Sequence, residues 1–443
     1  MRIKIKEKEL FKKLIRRNFN VELNAIDSFC IDSRLVQKND IFMPIRGNYI
    51  DPHNFISEIL VKKPAIIFSE KEFNNNNVIN VKSTKNILKK ISKEWIKSFK
   101  KPIIAITGSN GKTTTKEMLV SIFNSIYKTN NTKGNYNSSI GLPVNLFDFS
   151  LDADINIIEM GASRPNEIHD LCQIVKPNYS LITNIQNAHI GNFSSFKELI
   201  DTKLSIFKNT VKSGIIFGNA DDINISNYCK DVKNKISFGF KNSKVDFFAE
   251  WKTTDKETQF SINGKRIFNK YLNKIMAHNM LASYSIASVY GIKHQIIVDV
   301  FRKFNFAEGR GRHINKNGYL IIDDTYNANF ESFKIGINSF MSIASKGRKI
   351  LVIGDMKELG SQSQQAHINL GKYIDKQSPD LVFSFGDLIS DTTSQIKNKK
   401  TISKHFLELK ILIDNLKSDL TEGDAIYFKA SRSMKFENII KTI

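Results

Sequence analysis

Lys112 and Thr113 follow a glycine-bracketed turn, Gly108-Ser109-Asn110-Gly111, a set of residue types and spacings that can hold a nucleotide phosphate. Glycines let backbone N–H groups converge on an anion, a following helix N-terminus adds its positive end, a lysine supplies charge, and a threonine hydroxyl can ligate Mg²⁺. The loop is not the regular G-x-x-x-x-G-K-[ST] pattern, which would put a glycine where Ile106 stands; it is two residues shorter. The chemistry it points to is binding of ATP or GTP by the stretch from Gly108 through Thr114.

Such a loop works only between a strand and a helix. The apolar run 103–107 predicts a buried strand, and Met118, Leu119, Ile122, Phe123 and Ile126 recur at helical spacing after the loop. Further strands are predicted at 155–160, ending in Glu159; at 179–185, before a loop holding His189; and at 214–219, before Asp221 and Asp222. In an open parallel sheet, ligands sit at the carboxyl ends of the strands, so the loop, Glu159, His189 and the Asp pair are expected on one rim. Taken alone, Glu159 reads either as a hard oxygen ligand for Mg²⁺ or as a solvated strand-end carboxylate, and His189 as a ligand or a structural residue. Lys203, on a helix predicted over 195–208, reads by itself as an ordinary exposed lysine. The segment 132–143 has turn chemistry and no apolar face, which suits a functional or capping loop. A hairpin is expected within 245–266, turning at Asn263-Gly264.

Length and composition bound the rest. A chain of 443 residues with 41% hydrophobic and 25% charged residues has room for two or three domains with full cores. No apolar run approaches the ~18 residues of a membrane span. The basic start is interrupted by Glu7 and Glu9 with no hydrophobic signal core after it, which reads as a cytoplasmic protein. Cys30, Cys172 and Cys229 lack metal-type spacing and are expected to be reduced core residues. The net charge of +22 raises a nucleic-acid reading, but the basic residues are spread along the chain without a stripe interleaved with aromatics, and anionic phosphorylated substrates suit the same charge.

Three α/β units are expected: 1–100, with strands at 40–45, 65–68 and 78–81; 101–308, the phosphate-loop unit; and 309–443. In the last, strands at 319–323, 349–354, 381–385 and 425–429 each end in a polar turn, with helices at 364–376 and 406–417, which makes a second doubly wound unit. Two such units joined by a short link suggest a cleft that closes on ligand.

TGSNGKTTTKEM at 107–118, NSSIGLP at 137–143, EMGAS at 159–163, TNIQNAHIGNF at 183–193, HN at 278–279, DDTYNANFES at 323–332, GDMKELG at 354–360 and KASRSMKFE at 429–437 resemble the Mur ligases. DSRLVQKNDIFMPIRGNYIDPHNFI, ending at Ile56, is similar to that family's UDP-binding region, so the likeness spans all three units, and the shortened phosphate loop is the family's own form. The resemblance implies a UDP-sugar-binding unit, a central P-loop ATPase-type unit and a Rossmann-like C-terminal unit, in a monomer that uses ATP and Mg²⁺. TYNAN and GDMKELG favour the member that joins D-alanyl-D-alanine to UDP-N-acetylmuramoyl-tripeptide through an acyl phosphate. Rival readings are another Mur ligase, a folylpolyglutamate synthetase-like ligase, a nucleotide-binding protein with degraded catalysis, and a nucleic-acid-binding ATPase.

The resemblance also implies roles. Lys112 and the loop amides hold the β- and γ-phosphates; Thr113 and Glu159 ligate one Mg²⁺ and His189 a second; Lys203 is carbamylated and so becomes a metal ligand. Asn279 contacts adenine, and Arg310 and Asp324 contact phosphate and ribose. Ser33 and Arg34 lie at the uridine diphosphate site, while Asn327, Lys429, Ser431 and Arg432 lie near the dipeptide or acyl phosphate. Some positions depart from the family pattern: Ala282 for the second asparagine of HNxxN, Phe330 for a proline, Pro52 for a glycine and Ala430 for the glycine of KGSR. At 430 a Cβ costs about 1 kcal/mol if φ there is positive.

Overall fold

Apolar runs closed by Gly, Asn or Asp build three separate sheets in the computed structural model, which describes residues 1–47, 49–186, 190–253, 258–269 and 272–443. The first sheet has the order β1-β2-β3-β4-β5, formed by β1 Arg2–Lys4, β2 Ser28–Cys30, β3 Ile41–Phe42, β4 Ile66–Ser69 and β5 Val78–Asn80. The strand expected over 40–45 pairs only at Ile41 and Phe42. Pro44 has no N–H to give a ladder, and the Asp40 carboxylate is held by Arg2 at 2.7 and 2.9 Å.

The central sheet contains β6 Ile103–Thr107, β7 Thr129–Asn131, β8 Ile155–Glu159, β9 Tyr179–Ile182, β10 Ile215–Asn219, β11 Lys235–Gly239, β12 Phe247–Thr253, β13 Thr258–Ile262 and β14 Lys265–Ile267. Their order is β14-β13-β12-β11-β10-β9-β6-β8-β7, so β6, which feeds the phosphate loop, lies between β8 and β9. Ile104, Ile106, Ile157 and Leu181 pack on one face, and Ile103, Ala105, Ile158 and Ile182 on the other. Burial on both faces is why these strands read as unbroken apolar runs. The expected hairpin is present: β12, β13 and β14 pair antiparallel, and Asn263 and Gly264 turn with φ of 47° and 75°.

The third sheet has the order β15-β16-β20-β17-β18-β19, with β15 Arg312–Lys316, β16 Tyr319–Asp323, β17 Lys349–Gly354, β18 Leu381–Phe385, β19 Ile402–Phe406 and β20 Ala425–Lys429. β15 is its antiparallel edge. The helix expected over 406–417 begins only at Leu409, because Ile402–Phe406 forms an edge strand whose polar residues concealed it. Similarly, 132–143 is a loop only to residue 140, since Gly141–Asn145 is a short helix.

The first unit packs on the central one through aromatic rings. Phe147 stands 5.0 Å from Phe11 and 4.7 Å from Phe29 between ring centroids, and the Trp95 indole N–H donates to the Leu146 carbonyl at 2.7 Å. All three cysteines are free and buried, as expected. Among the described residues no helix is long and apolar enough to cross a membrane.

Candidate active site

Gly108 and Gly111 take φ of +148° and +82°, and a Cβ on either would collide with a neighbour: 1.9 Å from Thr183 Oγ1 at 108, and 2.4 Å from Asn279 Oδ1 at 111. These positions require glycine for both backbone and space. The loop between them is tied to the segment that leaves β9. Ser109 N donates to the Asn184 carbonyl at 2.9 Å, Asn110 N to Asn184 Oδ1 at 3.0 Å, and Thr183 Oγ1 to the Asn110 carbonyl at 2.6 Å. That use of 183–186 ends β9 at Ile182, short of the expected 185. The helix Lys112–Asn124 starts without a side-chain cap, so its first amides remain available to an anion.

Lys112 Nζ donates to the Gly108 and Ser109 carbonyls at 2.7 and 3.1 Å. Its pKa is pushed down, first by burial and then by Arg310, while Glu159 opposes the shift. Lys203, on the helix Phe196–Lys208, is only 3% exposed, contrary to the reading of an exposed lysine, and donates to the Gly108 carbonyl at 3.2 Å. Burial, then repulsion from Lys112, lowers its pKa to about 7. Glu159 ends β8 with its side chain buried. Asn137 Nδ2 donates to its Oε1 at 2.7 Å, whereas Oε2 has no hydrogen-bond partner. Lys116 Nζ, fully buried, lies 4.0 Å from Oε2 and donates to the Thr132 carbonyl at 2.7 Å.

The third unit closes this site. Arg310 Nη2 donates to Thr113 Oγ1 at 3.1 Å and Asn329 Nδ2 to Asn110 Oδ1 at 3.2 Å. The Asp324 carboxylate accepts from Lys429 Nζ and from the Tyr427 hydroxyl, each at 2.7 Å, and Lys429 also donates to the Asn327 carbonyl at 3.0 Å. A cavity of about 360 Å³ between the units is lined by Lys112, Thr113, Thr114, Glu159, Lys203, Arg310, Asp324, Asn327 and Lys429. It shares Asn110, Gly111 and Asn279 with a neighbouring cavity of about 1430 Å³, lined by Phe240, Trp251, His278, Ala282 and the backbone-engaged pair Asp221 and Asp222. At its wall the Phe240 and His278 rings meet at a tilt of 52° with centroids 4.3 Å apart. Asn279 accepts from Thr115 Oγ1 at 3.2 Å, and its buried Nδ2 lacks a partner.

Not every expected residue is brought here. His189 lies outside the described residues. Ser33 and Arg34 sit on the turn Ser33–Leu35 of the first unit and line neither cavity; Arg34 pairs with Asp32 at 2.7 Å. Ser431 is buried and accepts from Lys357 N at 2.8 Å, while Arg432 pairs with Glu437 at 3.2 Å. Lys116, Tyr326 and Asn329 were not singled out from sequence; Asn137 lay in a loop whose chemistry marked it as functional without assigning the residue a role. Among the departures, Pro52 and Phe330 occupy first positions of helical turns capped by Asp51 and Asn329, where neither strains the backbone. Ala430 does not have a positive φ, so its Cβ carries no such penalty.

Profiles of the "Mur ligase middle domain" and of the "Mur ligase, glutamate ligase domain" match residues 106–287 and 309–432. The chain is 29% identical over 439 residues to the UDP-N-acetylmuramoyl-tripeptide–D-alanyl-D-alanine ligase of Bacillus subtilis (strain 168), covering 96% of this chain and 95% of that one. It is 32% identical over 432 residues to the ligase of the same name from Buchnera aphidicola subsp. Baizongia pistaciae (strain Bp), covering 95% and 92%. The crystal structure of the MurF ligase from Thermotoga maritima in complex with ADP matches with a TM-score of 0.82 at 29% identity, over 94% of this chain and 96% of that one. With its three sheets, its phosphate loop and these likenesses along nearly its whole length, the chain belongs to the Mur ligase family, in the group of the UDP-N-acetylmuramoyl-tripeptide–D-alanyl-D-alanine ligases.

Proposed function

We propose that this protein uses ATP to join D-alanyl-D-alanine to the tripeptide carboxylate of UDP-N-acetylmuramoyl-tripeptide. The observation that carries the reading is the cavity between the units, lined at a helix N-terminus by Lys112, Lys203 and Arg310 together with Glu159, whose buried Oε2 has no hydrogen-bond partner. Amide formation from a carboxylate in water is uphill, so the carboxylate first takes the γ-phosphoryl group of ATP, releasing ADP. The dipeptide amine then attacks the acyl phosphate, gives up a proton, and phosphate leaves. Three anionic groups must meet in one place, and the convergent cations reduce their repulsion.

On this reading the loop amides and Lys112 hold the β- and γ-phosphates, Arg310 reaches the phosphates from the third unit, and Asp324 contacts the ribose. The free Asn279 Nδ2, at the junction with the aromatic-walled cavity, meets the adenine. Asn327, Lys429, Ser431 and Arg432 attend the dipeptide and acyl phosphate. Ser33 and Arg34 belong to the uridine diphosphate end, with units of 1–100, 101–308 and 309–443 contributing one substrate region each. Mg²⁺ fits the site: the orphaned, buried Glu159 Oε2 and the Thr113 hydroxyl are hard oxygen donors. When bound it neutralises charge on the transferring phosphoryl group. His189, and Lys203 after its neutral amine takes up CO₂ and loses a proton, would hold a second ion. The enzyme is then a cytoplasmic monomer working on nucleotide-linked precursors.

The acceptor tests the reading. With ATP and UDP-N-acetylmuramoyl-tripeptide, mass spectrometry should show the dipeptide adduct with D-alanyl-D-alanine and none with single amino acids; ligation of a single amino acid instead would contradict it.

A further inference from the structure

Tyr326 takes no part in the chemistry above, yet two guanidinium groups converge on its ring. The central carbon of the Arg310 guanidinium lies 3.3 Å from the ring centroid and that of Arg432 lies 5.5 Å from it. Both are within the range where a cation is drawn to an aromatic ring. The backbone around Arg310 is fixed to the same turn. Gly309 N donates to Asp323 Oδ2 at 2.8 Å, Gly311 N to the Asp323 carbonyl at 2.7 Å, and Tyr326 N to the Gly309 carbonyl at 3.0 Å. Gly309 and Gly311 have φ of +75° and +82°, and a Cβ on Gly309 would stand 3.1 Å from Tyr326 N. The link between units is therefore stitched to the third one, and from it the Arg310 side chain reaches back to Thr113.

A long side chain fixed across a gap between units loses rotamer freedom unless something restrains it beforehand. A tyrosine ring has few torsions and offers a stiff face. Arg432 opens the turn Arg432–Met434 just after β20 and reaches the ring while paired with Glu437 at 3.2 Å. We propose that Tyr326 is a positioning residue whose ring holds Arg310 for the nucleotide and Arg432 for the acceptor, so that one aromatic ring sets both. What the two arginines touch rests on the functional reading above; their convergence on the ring does not.

The test compares Tyr326→Phe, which keeps the ring, with Tyr326→Leu, which keeps apolar bulk and removes the face. ADP binding is measured by calorimetry, KM for ATP and dipeptide in the steady state, and folding by thermal melts. Tyr326→Leu should weaken ADP by about tenfold and raise both KM values with little change in melting, while Tyr326→Phe stays within about twofold of the parent. Adding Tyr326→Leu to Arg310→Lys should cost less than it does alone. Equal damage from Phe and Leu would assign the effect to the hydroxyl and overturn the proposal, as would an undiminished effect in the Arg310→Lys background or a Leu variant that binds ADP normally. A parent protein that binds ADP but makes no amide contradicts the functional reading and leaves the calorimetric comparison decisive.

Discussion

Lys112 and Lys203 donate to the same acceptor, the Gly108 carbonyl, at 2.7 and 3.2 Å. Two buried ammonium groups on one oxygen repel, and after burial itself this repulsion is what brings Lys203 down to about 7. Lys203 then has a substantial neutral fraction near pH 7, the form that can capture CO₂. In CO₂-depleted buffer, added bicarbonate should stimulate phosphate release well above pH 7 and weakly below it. Stimulation that ignores pH would contradict the assignment.

The same shift sets the sign of a stability effect. Because the folded pKa lies below the unfolded value of 10.5, the unfolded chain binds more protons between about 7 and 10.5, so stability rises with pH across that window. Below pH 7 the penalty is complete. Lys203→Met, which removes the charge and keeps the bulk, should melt higher than the CO₂-depleted parent at pH 6, with a smaller difference at pH 9, and should be inactive. A variant that melts lower at both pH values would show that Lys203 is not held under this strain.

Gly108→Ala and Gly111→Ala should each abolish ADP binding in calorimetry. Each puts a methyl group within 2.4 Å or less of a side-chain oxygen on a backbone with positive φ, and each should destabilise the fold by about 1–3 kcal/mol. Unchanged affinity in either would mean that the loop relaxes away from Thr183 and Asn279.

The interior strands of the central and third sheets were legible because they are largely buried. β6, β16, β17, β18 and β20 run over the residues expected from their apolar runs. β19 was hidden because an edge strand with one solvated face carries polar residues, and Ile402–Phe406 reads as ISKHF. Glu159 and the loop lysine could be placed at strand and helix ends by pattern alone. The burial of Lys203 and Lys116 could not, since helical spacing does not say which face a neighbouring unit covers. Arg310, Asp324 and Lys429 came only from the family likeness, and their meeting with Thr113 and Asn327 depends on how the units close, which no local pattern encodes.

Ala430 illustrates a correction in the other direction. It is buried without a positive φ, and its methyl group packs beside Gly354. Ala430→Gly should therefore lower stability by about 1 kcal/mol and leave both KM values unchanged. A gain in activity would show that the alanine does obstruct the acceptor side.

Asn279→Ala should weaken ADP by about tenfold, through loss of its buried free donor, while leaving the KM for the dipeptide unchanged. A matching rise in the dipeptide KM would move this residue out of the nucleotide end.

ADP and phosphate release by the purified protein, with UDP-N-acetylmuramoyl-tripeptide present and D-alanyl-D-alanine added or withheld, tests the ligase most directly. Release should require both substrates and be lost in Lys112→Ala. Release that is indifferent to the dipeptide, or that survives in Lys112→Ala, would contradict acyl-phosphate ligation at this loop.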